Sequence, residues 1–437
     1  MTLDDLGACF EGVIPSIIAT TAADGTPNIS YLSHVARIDD RHVALSNQFF
    51  SKTAANLRAN PRAALLVVDA LTGLQYRLDV IYLHAVTEGA LFERMAADLR
   101  ATSAQVGMAA VMRLRGVDIY RVEAIRPARS GVAREPGPPM ADRLPALADI
   151  AGTIAAAASL SGLLDGTLAA LERGFGFRHR MILLAQGERL VTIASAGYPR
   201  SGIGAEVTLG EGLIGMAGLE RRALRISDMS RARRFAGAIA ATSAEENLSR
   251  EIALPGLAEA MSQLAVPIMA QGRLRGILML ESSARLAFTP ADETAMTIVA
   301  GHLGTALALI DSDMAEPAEG PPLPAETPGP PFRITHHVFD DSVFIGGEYI
   351  VKGVAGRLLI SFLRAYLADG RRQFSNREIR VDASLRLPDF KDNLETRLLL
   401  LQRRLDEKAA PVRITRPERG RVLLTLSGTP VLTSQGI

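Results

Sequence analysis

HVALSNQFFSKTAANLRANPR, residues 42–62, reads as a strand, a break, a short helix and the opening of a second strand. The helix runs from Thr53 to Ala59 and stops at Asn60-Pro61, because a proline ring disfavours helix for the residue before it. On the N-terminal side, PSIIATT (15–21) leads through Asp24-Gly25 into PNISYL (27–32), the signal of a hairpin. On the C-terminal side come AALLVV (63–68), YRLDVIYL (76–83) and DIYRVE (118–123), with a helix from about Ala90 to Gly107. Many short strands with few helices predict a small barrel.

The order carries a resemblance: a DG-P hairpin, a strand ending in Asn47-Gln-Phe-Phe-Ser-Lys52, a helix closing on Asn60-Pro61-Arg62, then a strand opened by Gln75. It is similar to the pyridoxamine-5′-phosphate oxidase-like split barrel, a family that binds FMN at a dimer interface. The resemblance implies that Ser51, Lys52 and Thr53 hold the FMN phosphate and that Gln75 contacts the isoalloxazine ring. A cation beside a helix N-terminus suits a dianion, since free N–H groups and the helix dipole add to it. Lys52 is also the only lysine before Lys352. The family's early arginine aligns with Tyr31, and its tryptophan-containing substrate motif is missing from a chain with no tryptophan, so vitamin B6 oxidation itself is not expected. Related haem-handling split barrels imply a second ligand, with His34, His42 and His84 available, ranked behind FMN. Without a ligand, Lys52 is a solvated helix-start lysine and Gln75 an ordinary strand residue.

The 437 residues correspond to two to four domains. One cysteine, Cys9, excludes an internal disulfide framework and any Cys-rich metal site and suits a reducing compartment. The N-terminus lacks the basic start and apolar core of a secretion signal. Ile150–Leu171, the smoothest apolar stretch, is too rich in Ala, Ser and Gly for a span. The expectation is a cytoplasmic, multidomain protein of mixed β and α+β class without a membrane part or a metal. RPARSGVAREPGPPMAD (126–142) reads as a linker, and residues 311–331, with seven prolines, five acids and no base, as a semi-stiff spacer. The expected units are a split β-barrel over 1–129, a linker over 130–142, a second domain over 143–310, the spacer over 311–331, and a third domain over 332–437. The first two domains are charge-balanced. The third carries 18 basic against 12 acidic side chains.

In the second domain, Leu144, Leu147, Ile150, Ile154, Ala157, Leu160, Leu164, Leu168 and Leu171 fall on one face of a single long helix, a candidate connector between dimeric parts. Strands follow at MILLA (181–185) and RLVTIA (189–194), then GEGLIG (210–215), ALRISD (223–228), LAVPI (264–268) and GILML (276–280), with a last helix from Pro290 to Leu309. The GEGLIG turn and the LAVPI…GILML strand pair resemble a GAF domain, implying an antiparallel sheet with helices on both sides (an α/β/α sandwich) and a sensory or dimerising role. The ligand is left open. With no cysteine here, covalent bilin attachment is excluded. The loop from Arg231 to Leu257 would cover a pocket, offering Arg233 and Arg234 to an anion, or would be a plain surface loop.

The third domain reads as strand, strand, helix, loop, helix, hairpin. FIGGEYIV (344–351) is a strand pair around Gly-Gly, Gly353–Ala368 a helix, and Ser375 with Glu378 a capping box. Asp392–Lys408 is the strongest helix, and VRITRPERGRVLLTL (412–426) a basic hairpin. This resembles the winged-helix effector domain of bacterial response regulators, in which the helix matching Asn393–Lys408 enters the major groove and the final hairpin is the wing. Leu394, Leu398, Leu401 and Leu405 form one stripe, with Arg397, Arg404 and Lys408 beside it. Arg413, Arg416, Arg419 and Arg421 load the wing. Cations there would lie over phosphates. Winged helices also dock proteins, and that partner stays open. His336 and His337 alternate across a strand and cannot converge on a metal.

No P-loop, kinase or cyclase signature, nucleophile elbow or His-rich motif is present, and no catalytic residue stands out. The expectation is a flavin- or ligand-responsive regulator, homodimeric through the split barrel and GAF, that biases a DNA-binding winged helix. The rival is an FMN-dependent oxidoreductase with regulatory additions, and a third reading is an interaction scaffold with a vestigial flavin site.

Overall fold

The computed structural model describes residues 1–32, 34–47, 51–105, 113–128, 143–230, 252–312, 329–382, 385, 394–417 and 420–435. Near the N-terminus the described strands are β1 (Ser16–Thr21), β2 (Pro27–Leu32), β3 (Val35–Arg37), β4 (His42–Asn47), β5 (Arg62–Val68), β6 (Gln75–Val86) and β7 (Gly116–Pro127). They pair in the order β2-β1-β5-β6-β7-β4-β3, every pair antiparallel. The twelve-residue β6 carries two bulges against β7, which bend it and curl the sheet. Alternation sends Ile18, Leu65, Val67, Leu78, Val80 and Tyr120 into one core, and helix α1 (Ser51–Ala59) seals it with Leu57. On the outer face, Val117 and Ile119 pack under helix α2 (Ala90–Gln105).

Helices α3 (Leu144–Ala155) and α4 (Leu160–Phe175) replace the single long helix expected from the leucine spacing. The break has a local cause: Ser159 adopts an extended backbone and its hydroxyl caps α4 by accepting the Gly162 N–H at 3.1 Å. Gly166 beside Thr153 and Gly174 beside Ala146 then let the two helices fold back closely against each other. The stripe is therefore a helical hairpin and not a connector.

The hairpin and helix α6 (Pro290–Ser312) cover one face of a six-stranded sheet: β8 (His179–Gln186), β9 (Arg189–Ala196), β10 (Glu206–Thr208), β11 (Leu224–Ile226), β12 (Ser262–Ala270) and β13 (Arg273–Ser282), ordered β10-β9-β8-β13-β12-β11. Ile182, Leu184, Val266, Leu278 and Leu280 point to that face. Met181, Leu183, Ala265, Ile277 and Met279 point to the other, where helix α5 (Gly212–Glu220) packs. Residues Pro290–Ile310 are long and apolar enough to cross a membrane, with a mean hydropathy of 1.3. Met296, Val299, Ala300 and Leu303 of this helix are buried in the core.

The last unit has β14 (Phe332–His337), β15 (Ser342–Ile345), β16 (Glu348–Val351), helix α7 (Gly353–Asp369), β17 (Gln373–Ser375), helix α8 (Asn376–Val381), helix α9 (Leu394–Glu407), β18 (Val412–Thr415), β19 (Arg421–Leu426) and β20 (Pro430–Gln435). Its sheets are β16-β15-β14-β20, with β20 parallel to β14, and β17-β19-β18. Gly346 and Gly347, both at positive φ, make the β15–β16 turn. The Ser375–Glu378 capping box is present at the start of α8. Leu358, Leu359 and Phe362 of α7 meet Leu398, Leu401 and Leu405 of α9, and this core runs on without a gap into that of the central sheet.

Inside the N-terminal sheet, Asp118 is 5 % exposed and accepts one hydrogen bond, from Asn47 Nδ2 at 3.2 Å. Burial pushes its carboxyl up to about 6, with the Asn47 bond opposing weakly. The native state therefore holds a proton that the unfolded chain releases near pH 4. The associated stability is present below that and lost as pH rises through 6, about 3 kcal/mol in all. Asp118→Asn keeps a neutral acceptor for Asn47. Its melting temperature should exceed wild type at about pH 7 and converge with it near pH 4, as read by thermal denaturation across pH.

Candidate functional site

The first turn of α1 sits over the polar end of the N-terminal barrel. Thr53 is buried; its Oγ1 accepts from Asn28 Nδ2 at 3.1 Å and lies 2.9 Å from Ser30 Oγ, while Asn56 Nδ2 donates to Thr20 Oγ1 at 3.1 Å. These bonds fix the helix to β1 and β2, so the Thr53 hydroxyl acts as an anchor. Ser51 begins the helix, and Lys52 is exposed on the same turn. The Asp24 carboxyl is held below its usual range, mainly by the Thr26 N–H and in smaller part by the Lys52 charge. An ammonium beside the first-turn N–H groups of a nine-residue helix is a donor set that fits a phosphate.

Gln75 is half-buried at the start of β6. It pairs with Val68, whereas Ala19, next to Thr20, pairs with Ala64, four residues back along β5. That offset is roughly 13 Å along the strand. Lys52, on the helix over β1 and β2, and Gln75, at the start of β6, therefore stand on different elements at different levels of the sheet.

The histidines stand apart. His42 Nδ1 lies 2.9 Å from Asp39, His84 is exposed on β6, and His34 is held below its usual range, first by burial. Burial pushes the Cys9 thiol up to about 12, which keeps it protonated at neutral pH. Among the described residues no cluster of three or more His, Cys, Asp or Glu could hold a metal. Arg233 and Arg234 of the central loop lie outside the described residues.

On α9 and the following hairpin, the cations expected to meet DNA have partners inside the chain. Arg404 is 4 % exposed: its Nε donates to the Ile350 carbonyl at 3.0 Å, one terminal nitrogen to the Tyr349 carbonyl at 3.2 Å, and the other pairs with Glu407 at 2.5 Å. Lys408 pairs with Glu348 at 3.3 Å, and Arg416 grips Glu395 with two bonds of 2.6 and 2.7 Å. Arg397 is buried, and neither it nor Arg421 is unpaired. Arg419 lies outside the described residues.

Sequence reasoning missed the contacts between units. Arg225 of β11 binds Glu11, near the N-terminus, and Glu293 at 3.0 Å, and Ser227 Oγ donates to Glu11 at 2.8 Å. Asp98 of α2 binds Arg222, Arg100 pairs with Glu220 at 2.5 Å, and Ala97 is wholly buried among the central sheet's side chains. Arg403 of α9 reaches Asp165 of α4.

The family model described as pyridoxamine 5′-phosphate oxidase matches residues 5–126, and that described as GAF domain matches residues 157–308. The chain joins a pyridoxamine 5′-phosphate oxidase-like domain to a GAF domain. The C-terminal unit lies outside both matches. Among solved structures, the chain is similar to an FMN-binding protein from Syntrophomonas wolfei subsp. wolfei (18 % identity over 29 % of this chain and 86 % of that one, TM-score 0.26). It is also similar to the GAF domain of an Acinetobacter phosphoenolpyruvate-protein phosphotransferase (24 % identity, 38 % and 93 % covered, TM-score 0.32). A third is fRMsr of Staphylococcus aureus in complex with substrate (19 % identity, 39 % and 97 % covered, TM-score 0.31). No curated protein matches the chain.

Arg225 and Glu11 are both largely buried where the oxidase-like domain meets the GAF domain. Arg225→Leu strands the Glu11 charge and should cost about 3 kcal/mol, measured by urea unfolding. Arg225→Leu combined with Glu11→Leu should recover most of that loss.

Proposed function

We propose that this chain is a cytoplasmic flavin- or small-ligand-responsive regulator, in which a split-barrel sensor and a GAF domain control a winged-helix, DNA-binding C-terminal unit. The observation that carries it is the central position of the GAF domain. It touches the oxidase-like domain through Arg225–Glu11 and the C-terminal unit through Arg403–Asp165, so a change in either sensor bears on the output. A ligand that prefers one arrangement shifts the population toward it.

FMN is the proposed cofactor. Its phosphate would rest on Lys52 and the first-turn N–H groups of α1. Since FMN is elongated, Gln75 would meet the ring at the other end of the ligand. Bound there, FMN supplies electron-transfer chemistry and visible absorbance. Lys52 fixes the dianion, and the Thr53 anchor holds the helix end rigid. Support for the winged-helix output comes from the α7–α8–α9 order followed by the β18–β19 hairpin, which exposes Arg413.

The chain is proposed to act as a homodimer. From Thr294 to Ile310, α6 has no Asp, Glu, Lys or Arg. Its exposed Ile298 lies with Leu147 and Ala151 of α3, an apolar surface that suits a second copy of itself. Ile298→Glu should convert dimer to monomer in analytical ultracentrifugation.

A yellow preparation that releases FMN is expected, with Lys52→Ala weakening FMN binding about tenfold or more in a fluorescence titration. A colourless protein that also fails to take up added FMN would remove the flavin trigger. Sustained NAD(P)H oxidation would favour the oxidoreductase reading.

A further inference from the structure

The outer strip of α9 is turned onto the GAF domain. Leu400 and Arg404 approach the backbone of Gly204 so closely that a Cβ there would lie 3.5 and 3.6 Å from their side chains. Beside Arg404 on the helix, Arg403 donates to the Ile193 carbonyl at 2.8 Å, to Ser161 Oγ at 3.0 Å, and to both oxygens of Asp165 at 2.7 and 2.8 Å. At the end of the helix, Ser201 Oγ donates to Glu407 at 2.5 Å, and Lys352 reaches Glu206 at 3.3 Å.

The polar part of this contact is weakly held. Its polar rim is wet: the Asp165 side chain is 58 % exposed and Glu407 34 %, and ion pairs in that setting contribute little each. Arg403 is satisfied by a carboxylate, a hydroxyl and a carbonyl, and the same guanidinium fork would bind the anionic oxygens of a phosphate. A helix seated on β9 and α4 cannot also lie in a major groove.

We infer that the GAF domain is a removable cover for α9, an autoinhibitory latch centred on Arg403 that must open before the C-terminal unit meets nucleic acid. This rests on the DNA-binding reading of that unit. The GAF surface formed by Asp165, Ser161 and the Ile193 carbonyl occupies the helix in the closed state. Signals that favour the parted arrangement switch the output on.

The opening substitution is placed on the GAF side, so that it keeps every cation of the C-terminal unit. In full-length protein, Asp165→Arg should raise the radius of gyration in small-angle scattering and strengthen binding to a mixed-sequence duplex at low salt about tenfold. Asp165→Glu should stay compact and match wild type. Asp165→Arg with Arg403→Asp should regain compactness. The latch is overturned if Asp165→Arg stays as compact as wild type, or if compact wild type binds the duplex as tightly as the opened variant. If Asp165→Arg opens but no variant binds the duplex, the latch holds and the DNA-binding reading falls.

Discussion

The central six-stranded sheet cannot be insulated by its own domain, and the rest of the molecule is organised around that constraint. One face takes the α3–α4 hairpin and α6. The other takes α5, yet also buries Ala97 from the oxidase-like domain. Beside β9, the C-terminal unit contributes α9, so that one continuous core serves two domains. Apolar burial of this kind is non-directional. The arginines supply direction: Arg225, Arg222 and Arg403 each bind a carboxylate from a different unit and thereby set how the units face one another.

Arginine is suited to this duty because its rigid fork satisfies several acceptors at once and stays charged when partly buried. Arg404 illustrates the point within a single domain, binding two carbonyls of β16 while pairing with Glu407. Lys52 is the contrast. Its flexible ammonium is exposed at a helix start, in a chain where arginine does nearly all the other cationic work.

The strand pattern of the first 126 residues and the leucine face of α9 were readable because period two and period 3.6 are local properties. The α3–α4 break was written in Ser159, but a lone serine in an alanine-rich run is a weak mark beside nine apolar residues in register. The contacts between units left almost no trace: Arg403 and Asp165 are 238 residues apart, and a charged helix flank looks the same whether water or another domain covers it. One signal was present. Leu398 to Leu401 are four leucines in succession, and a helix cannot turn four consecutive residues to one side. Two apolar sides on α9 meant two neighbours. Lys52 and Gln75 were legible only as types, since their offset along the sheet depends on register.

In the C-terminal unit the first strand, β14, lies between β15 and a parallel β20, so that Phe332, where the spacer enters, is level with Pro430. A tug arriving along the spacer therefore strains both flanking ladders in shear, many bonds together, instead of peeling them one by one. The solvated rim against the GAF domain has no such load sharing. Under tension the solvated ion pairs at that rim part before the unit's own strands do.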